Sequence, residues 1–495
     1  MAGSAPSANE GTDRPGLRFL VIGAGMSGIL SVIKLREAGY HDFAIYEKAD
    51  RLGGTWRENT YAGVGCDVPS HLYSYSFALN PDWSHRFSSG AEIQAYFEDV
   101  ARRYGVDRII RYGLEVRRCV FENGRWRVEL SDGSSDVGDV VIAATGVLHH
   151  PAYPDIPGLD SFAGVAFHTA RWNHDVPLAG RRVGVIGTGS TATQIVPAVI
   201  GDVASLSLFQ RTAQWVVPQE NPAYTEAEKA GFQRHPETMK QIRDEISLLF
   251  ADMFSNAVVD ANSPQLQLIH EACVANLESQ VKDPALREKL RPDYRAGCKR
   301  LVMSADFYQA IQRPNAELVT EGIERIEPAG VRTRDGRLHE LDVLILATGF
   351  RVDRFMRPME VVGRGGIALD DAWRKGPIAY MAVSIPDFPN LFMLNGPNGP
   401  VGNFSLIEVA ELQLGYVLQL VERLRAGECR EVSASRAATA RFDAERREAT
   451  RKTIWASGCR SWYLDGEGVP AVWPWSFDRL REEMTAPRIA DFELR

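Results

Sequence analysis

The sequence predicts an α/β chain of two Rossmann-like dinucleotide-binding domains in three-layer ββα form, the second inserted into the first. Two observations carry the prediction. Gly23-Ala24-Gly25-Met26-Ser27-Gly28 and Gly187-Thr188-Gly189-Ser190-Thr191-Ala192 are glycine-rich turns, each between an apolar run and a helical pattern. Asp139–Gly146 (DVVIAATG) and Asp342–Gly349 (DVLILATG) are near-repeats that read as buried strands ending in A-T-G. They mark where the chain leaves and re-enters the first domain, as two strand-like hinges.

In the first unit, Leu17 to Gly23 is the strand, and the helical pattern runs to Glu37 before Gly39 ends it. A second strand, Phe43–Tyr46, delivers Glu47, 19 residues beyond Gly28. The glycines allow a tight turn and let backbone N–H groups approach a pyrophosphate at the helix N-terminus. A carboxylate at Glu47 accepts from ribose hydroxyls and suits an adenosine without a 2′-phosphate, hence FAD or NAD. Residues 116–131 read as a hairpin turning at Asn123-Gly124.

In the second unit, Arg182–Gly189 is strand and turn, and the helix carrying Gln194 stops near Pro197 or Gly201. The next strand, Leu206–Phe209, ends in Gln210-Arg211-Thr212. A cation therefore stands where Glu47 stood in the first unit. A guanidinium binds a 2′-phosphate through paired, charge-assisted hydrogen bonds, which selects NADP. The contrast between Glu47 and Arg211 assigns FAD to the first site and NADPH to the second. Residues 225–290 are charged and helix-patterned, and read as a helical insertion in the second domain. The domains expected are 17–150 and 342–495 for FAD and 151–341 for NADPH, behind a tail over 1–16.

Composition narrows the classes. The chain has 495 residues, 45% of them hydrophobic and 24% charged, as in an ordinary globular protein with two or three domains. A net charge of −8 argues against nucleic acid or an anionic membrane as partner. The apolar run Phe19–Ile33 is short and glycine-broken, so no membrane span is expected. The six cysteines are scattered, with no C-x-x-C pair or metal-ligand spacing. This fits reduced thiols in a cytoplasm and weighs against disulfide reductases.

Between the two turns lies Phe162-Ala163-Gly164-Val165-Ala166-Phe167-His168-Thr169-Ala170-Arg171-Trp172-Asn173. It resembles F-x-G-x-x-x-H-x-x-x-W-(P/D), the fingerprint of Baeyer–Villiger monooxygenases, with Asn173 departing at the last position. Gly53-Gly54-Thr55-Trp56, Tyr61, Gly63 and Asp67 resemble that family's second fingerprint, with Ala62 in place of proline. Gly297-Cys298-Lys299-Arg300 resembles its G-C-K-R segment. The resemblance runs from Leu17 to about Pro474.

The resemblance implies FAD and NADPH as cofactors and a small-molecule ketone plus O₂ as substrates, in a monomer or weak oligomer. In the scheme the resemblance implies, NADPH would reduce FAD, oxygen would add at flavin C4a, and the peroxide anion would attack the ketone, the adduct rearranging to an ester or lactone. Thr55, Trp56, Asp67 and Tyr73 then hold or face the flavin, Val116 packs on adenine, and Lys299 helps hold the NADPH phosphate. Arg300, protonated at any working pH, is implied as the catalytic cation, with Asp67 orienting it. His168 is implied as a coupling residue between hinge and NADPH site. The aromatic cluster Trp455, Trp462, Tyr463, Trp473, Trp475 and Phe477 reads as domain packing more than substrate box. An N- or S-oxygenating flavin monooxygenase and a non-catalytic FAD/NADP-binding module stay open as alternatives.

Overall fold

The computed structural model describes residues 16–400 and 404–495, so the tail expected over 1–16 lies, Gly16 apart, outside the described residues. The first domain is built on five parallel strands: Phe19–Ile22, Phe43–Tyr46, Ile110–Arg111, Val140–Ala143 and Leu391–Met393. Their spatial order is 391, 140, 19, 43, 110. Phe19–Ile22 and Val140–Ala143 are wholly apolar and wholly buried, as strands covered on both faces must be. Alternate residues separate the layers, because a strand points successive side chains to opposite faces. Phe19 and Val21 pack among the helices Met26–Glu37 and Leu406–Ala426. Leu20 and Ile22 pack against Cys119, Trp126 and Val128 of an antiparallel sheet. Its antiparallel strands are Val116–Glu122, Arg125–Leu130 and Ser135–Gly138, and Glu360–Val362 joins its edge parallel to Val116–Glu122. Its hairpin turns at Asn123-Gly124, both left-handed (φ 53° and 76°), the backbone of a tight primed turn.

The second domain repeats the plan. Its parallel sheet runs in the order Ala316–Val319, Ser205–Phe209, Arg182–Ile186, Val343–Leu346, Val165–His168. The helix Ser190–Val199 covers one face, and the antiparallel strands Ile323–Glu327, Gly330–Thr333 and Leu338–Glu340 cover the other.

One expected boundary is corrected. Val343–Leu346 pairs with Arg182–Ile186 and Val165–His168, so the chain has not re-entered the first domain at Asp342. The two A-T-G strands are equivalent members of different sheets rather than two ends of one hinge. The crossings come after them and run antiparallel side by side: Ala152 N donates to Gly349 O (2.8 Å) and Arg351 N to His150 O (2.8 Å).

The insertion forms four helices, Glu226–Arg234, Pro236–Phe250, Pro264–Gln280 and Pro284–Leu290, with a π-helical turn at Ala251–Ser255. Three begin with proline, whose missing N–H is no loss in a first turn. Pro264–Gln280 buries Leu266, Ile269, Cys273 and Leu277 in the second domain's core. Pro236–Phe250 reaches the first domain, where Ser247 Oγ donates to Glu408 (2.9 Å) and Arg243 pairs with Glu411 (3.4 Å).

His71, in the first domain, is fully buried between Tyr224, just before the insertion, and Phe232 of the insertion's first helix. Neither ring nitrogen has a partner among the described residues, and burial pushes its pKa down to about 4. The folded state thus binds this proton more weakly than the unfolded chain. Its contribution is complete above about pH 6.5 and is lost as pH falls towards 4. From these values, stability at pH 5 should be about 2 kcal/mol below that at pH 8 through this group. Urea titrations at both pH values should show that difference shrink in His71→Phe.

Candidate functional site

Both glycine-rich turns place a helix N-terminus on the rim of one cleft. Met26–Glu37 begins after Gly25 and Ser190–Val199 after Gly189, and neither start carries a side-chain cap. The helices starting after Ser89, Thr225, Ser263 and Ser476 do carry one. Uncapped first-turn N–H groups with the positive end of the helix dipole form an anion site. The approach is close because the turns tolerate no side chain. Gly23 has φ 101°, and a Cβ there would meet Ala144 O at 2.6 Å; Gly187 has φ 117°, and its Cβ would meet Ala347 O at 2.3 Å. Each turn therefore rests on the A-T-G segment of its own sheet.

The cleft has a volume of about 1610 Å³, well above the few hundred to a thousand or so typical of one drug-sized ligand. Apart from Gly28 and His168, every residue singled out in the sequence as cofactor-binding or catalytic lines it. Gly28 sits beneath the turn, where a Cβ would fall 1.9 Å from Gly23 O. Glu47 is buried; its carboxylate accepts from Ala24 N (2.9 Å) and from Arg57 Nη1 (2.9 Å). Arg57 also donates to Glu58 (2.8 Å), so it fixes the acidic corner of the first site. Trp56 Nε1 donates to the Tyr73 hydroxyl at 3.0 Å, joining the two aromatic residues of the loop.

On the opposite rim, Thr188 Oγ1 donates to Thr212 O (2.7 Å), and Arg211 is exposed beside them. Lys299 lies 4.5 Å from the Tyr294 ring centroid. Burial lowers the Lys299 pKa, Asp293 opposes that, and Arg211 lowers it further. The two cations thus share one neighbourhood. Gln194 ties the rims together: its Oε1 accepts from Tyr61 (2.7 Å) and its Nε2 donates to Gly65 O (3.0 Å). Gly63 makes that contact possible, since a Cβ there would meet Gln194 O at 2.5 Å.

Between the rims, Arg300 Nη2 donates to Asp67 Oδ2 at 2.6 Å, across a sequence separation of 233. Asp67 raises the already high pKa of the guanidinium against the opposing effect of burial. Tyr463 is buried and lines the same cleft, and desolvation pushes its hydroxyl up to about 12. The pair puts a permanent cation, with donors to spare, in a sheltered position between two nucleotide turns.

The profile of the flavin-binding monooxygenase-like family matches residues 16–356. A Baeyer–Villiger monooxygenase of Streptomyces coelicolor is 39% identical over 484 residues, covering 97% of this chain and 92% of that protein. An uncharacterized monooxygenase of Mycobacterium bovis is 47% identical over 477 residues, covering 96% and 95%. Among solved structures, an OTEMO complex with FAD and NADP superposes with a TM-score of 0.87 at 27% identity, covering 97% of this chain and all of that one.

The chain belongs to the flavin-binding monooxygenases, Baeyer–Villiger type.

The monooxygenase fingerprint at 162–173 lies in the second domain rather than on the cleft wall. It forms the edge strand Val165–His168, and Gly164 is required because a Cβ would meet Asp342 O at 2.4 Å. Trp172 packs edge-on to Phe167 at 5.1 Å within the second domain's core. His168, expected to couple the hinge with the NADPH site, is fully buried and absent from the cleft wall, so it takes no direct part in chemistry there. Its Nδ1 accepts from Ala170 N (3.1 Å), and the ring packs on Tyr153 and Phe350 against the Gly349 backbone. Tyr153 and Phe350 belong to the two crossings, so His168 braces them.

Two further expectations change. Cys298 and Cys459 form a disulfide, where unpaired thiols were expected. Their sequence separation of 161 hides a pair that only the fold brings together. The aromatic cluster divides: Trp455, Trp462 and Tyr463 line the cleft, whereas Trp473, Trp475 and Phe477 join the first domain's core. No described helix of this monooxygenase is long and apolar enough to cross a membrane.

Proposed function

We propose that the chain catalyses NADPH- and O₂-dependent conversion of ketones to esters or lactones. The observation that carries this is the Arg300–Asp67 pair, set in the cleft between two dinucleotide turns of opposite charge preference. The residues fit FAD in the first site: an uncapped helix start, a glycine turn without room for a Cβ, and the Glu47 carboxylate. They fit NADPH in the second: an equivalent turn, with Arg211 and Lys299 where a 2′-phosphate needs cations. When bound, the two cofactors supply the reducing equivalents and the activated oxygen.

The protein's own part is positional and electrostatic. Arg300 presents N–H donors to the negative oxygen that develops when a ketone carbonyl is attacked. Asp67 holds one Nη of Arg300 and leaves its other donors for that task. The pair is part-buried, which lowers the local dielectric constant below that of water and strengthens the action of the charge. We assign residues 17–150 and 350–495 to the FAD domain and the intervening stretch to the NADPH domain, in keeping with the strand pairing.

The deciding experiment incubates the enzyme with NADPH, air and either a cyclic ketone or an alkyl aryl sulfide. Lactone from the ketone is the expected product; sulfoxide alone, with no lactone from small cyclic, large cyclic, linear, aromatic or steroidal ketones, overturns the reading. For the coenzyme, Arg211→Ala should raise the KM for NADPH roughly 10- to 100-fold, the value of a charge-assisted contact. Steady-state kinetics with NADH should change little; a parallel loss with both coenzymes would exclude a 2′-phosphate role.

A further inference from the structure

Two walls of the cleft are joined covalently. Cys298 and Cys459 form a disulfide with Cα atoms 6.2 Å apart. Cys298 is buried and stands two residues before Arg300; Cys459 is part-exposed, between exposed Gly458 and Arg460 and four residues before Tyr463. Tyr463 is buried and lines the same cleft as Arg300, whose charge acts on its hydroxyl. Its ring is backed by Trp455 at 5.4 Å and Trp462 at 4.3 Å. Arg300 is thus paired with Asp67 of the first domain and shares its cleft with Tyr463 of the C-terminal segment. The segment between Gly458 and Gly468 contains a further glycine, Gly466, and no helix or strand; local turns hold it, with Leu464 N donating to Ser461 O (3.3 Å) and Gly468 N to Asp465 O (3.0 Å). Ala471 N to Tyr463 O (2.7 Å) is one of its backbone anchors.

We propose that Tyr463 is a positioning residue for Arg300 and that the Cys298–Cys459 bridge is the reducible tie that keeps it in place. This rests on the role given to Arg300 above. A dithiol opens the tie by attacking Sγ of part-exposed Cys459 through its thiolate. The S–S bond breaks, both cysteines end as thiols, and the reductant leaves as its own disulfide carrying the oxidation. In a reducing compartment, bridges of this kind are transient or sensing rather than structural.

The test uses full-length, flavin-loaded enzyme with and without dithiothreitol. Alkylation and mass spectrometry count the thiols, and hydrogen exchange follows the peptide 457–470. Untreated enzyme should yield the linked Cys298–Cys459 peptide. Reduction should raise exchange across 457–470 several-fold, and Cys459→Ser should match reduced wild type and ignore dithiothreitol. Tyr463→Phe, with the bridge intact, should divert NADPH from oxygenated product to hydrogen peroxide several-fold, leaving the rate of flavin reduction and the KM for NADPH unchanged. Free thiols at both positions in untreated enzyme, or unchanged exchange after complete reduction, overturn the tie. Wild-type coupling in Tyr463→Phe overturns the positioning role. Failure of the ketone reading appears separately, as absence of ester or lactone from untreated wild type, and the exchange result stands regardless.

Discussion

Arg300→Ala is expected to lower ester or lactone formation roughly 10²- to 10³-fold, the loss that follows removal of one preorganised donor from a dry site. Reduction of the flavin by NADPH should survive, because the uncapped turn at Gly189, Arg211 and Lys299 remain to hold the coenzyme. The variant also strips Asp67 of its partner at 2.6 Å, leaving a part-buried carboxylate on the cleft wall. A negative charge with no counter-charge opposes any anion formed nearby, so the two losses add in the same direction. Arg300→Lys separates them: it restores charge without the guanidinium's planar fork, and should recover activity only in part. Stopped-flow flavin reduction alongside product analysis makes the measurement. Wild-type ester formation by Arg300→Ala would remove the guanidinium from the chemistry.

Gly28→Ala is expected to strip the protein of flavin. A Cβ at residue 28 would lie 1.9 Å from the carbonyl oxygen of Gly23 and 3.0 Å from its carbon. The obstacle is backbone, so no rotamer relieves it. Either the helix Met26–Glu37 moves off the sheet or the turn moves into the cleft. Overpacking of this kind costs typically 1–3 kcal/mol, or about 10- to 100-fold in flavin affinity if the displacement falls on the turn. The ratio of flavin to protein absorbance in purified enzyme reads it directly. Gly201→Ala is the control, since its added Cβ would meet nothing within 4 Å. A full flavin complement in Gly28→Ala would show that the turn does not carry the cofactor's phosphates.

The parts of the site legible in the sequence are those encoded locally. A glycine turn, its flanking strand and helix, and the charge at the end of the next strand all fall within some 30 residues, so spacing alone reveals them. Arg57 was not singled out, although it grips Glu47, because a single arginine in a loop has no periodicity to betray it. Tyr463 was grouped with its neighbours as packing. Its separation from Trp473 and Trp475 depends on where the C-terminal chain turns back across the cleft. His168 stands out through a motif shared with a family, yet its ring is enclosed by the two crossings and does not itself line the cleft.

By itself the sequence determined the fold class, the two turns, the helical insertion and the charge contrast between Glu47 and Arg211, because each rests on hydrophobic period and short-range backbone demands. Tertiary structure alone decided that Val343–Leu346 serves the second sheet and that Cys298 meets Cys459, and it gave the Asp67–Arg300 pair, implied by the resemblance, its geometry. These are contacts over long sequence separations. They depend on how two separately folded sheets are set against each other, and no local pattern in the chain records that.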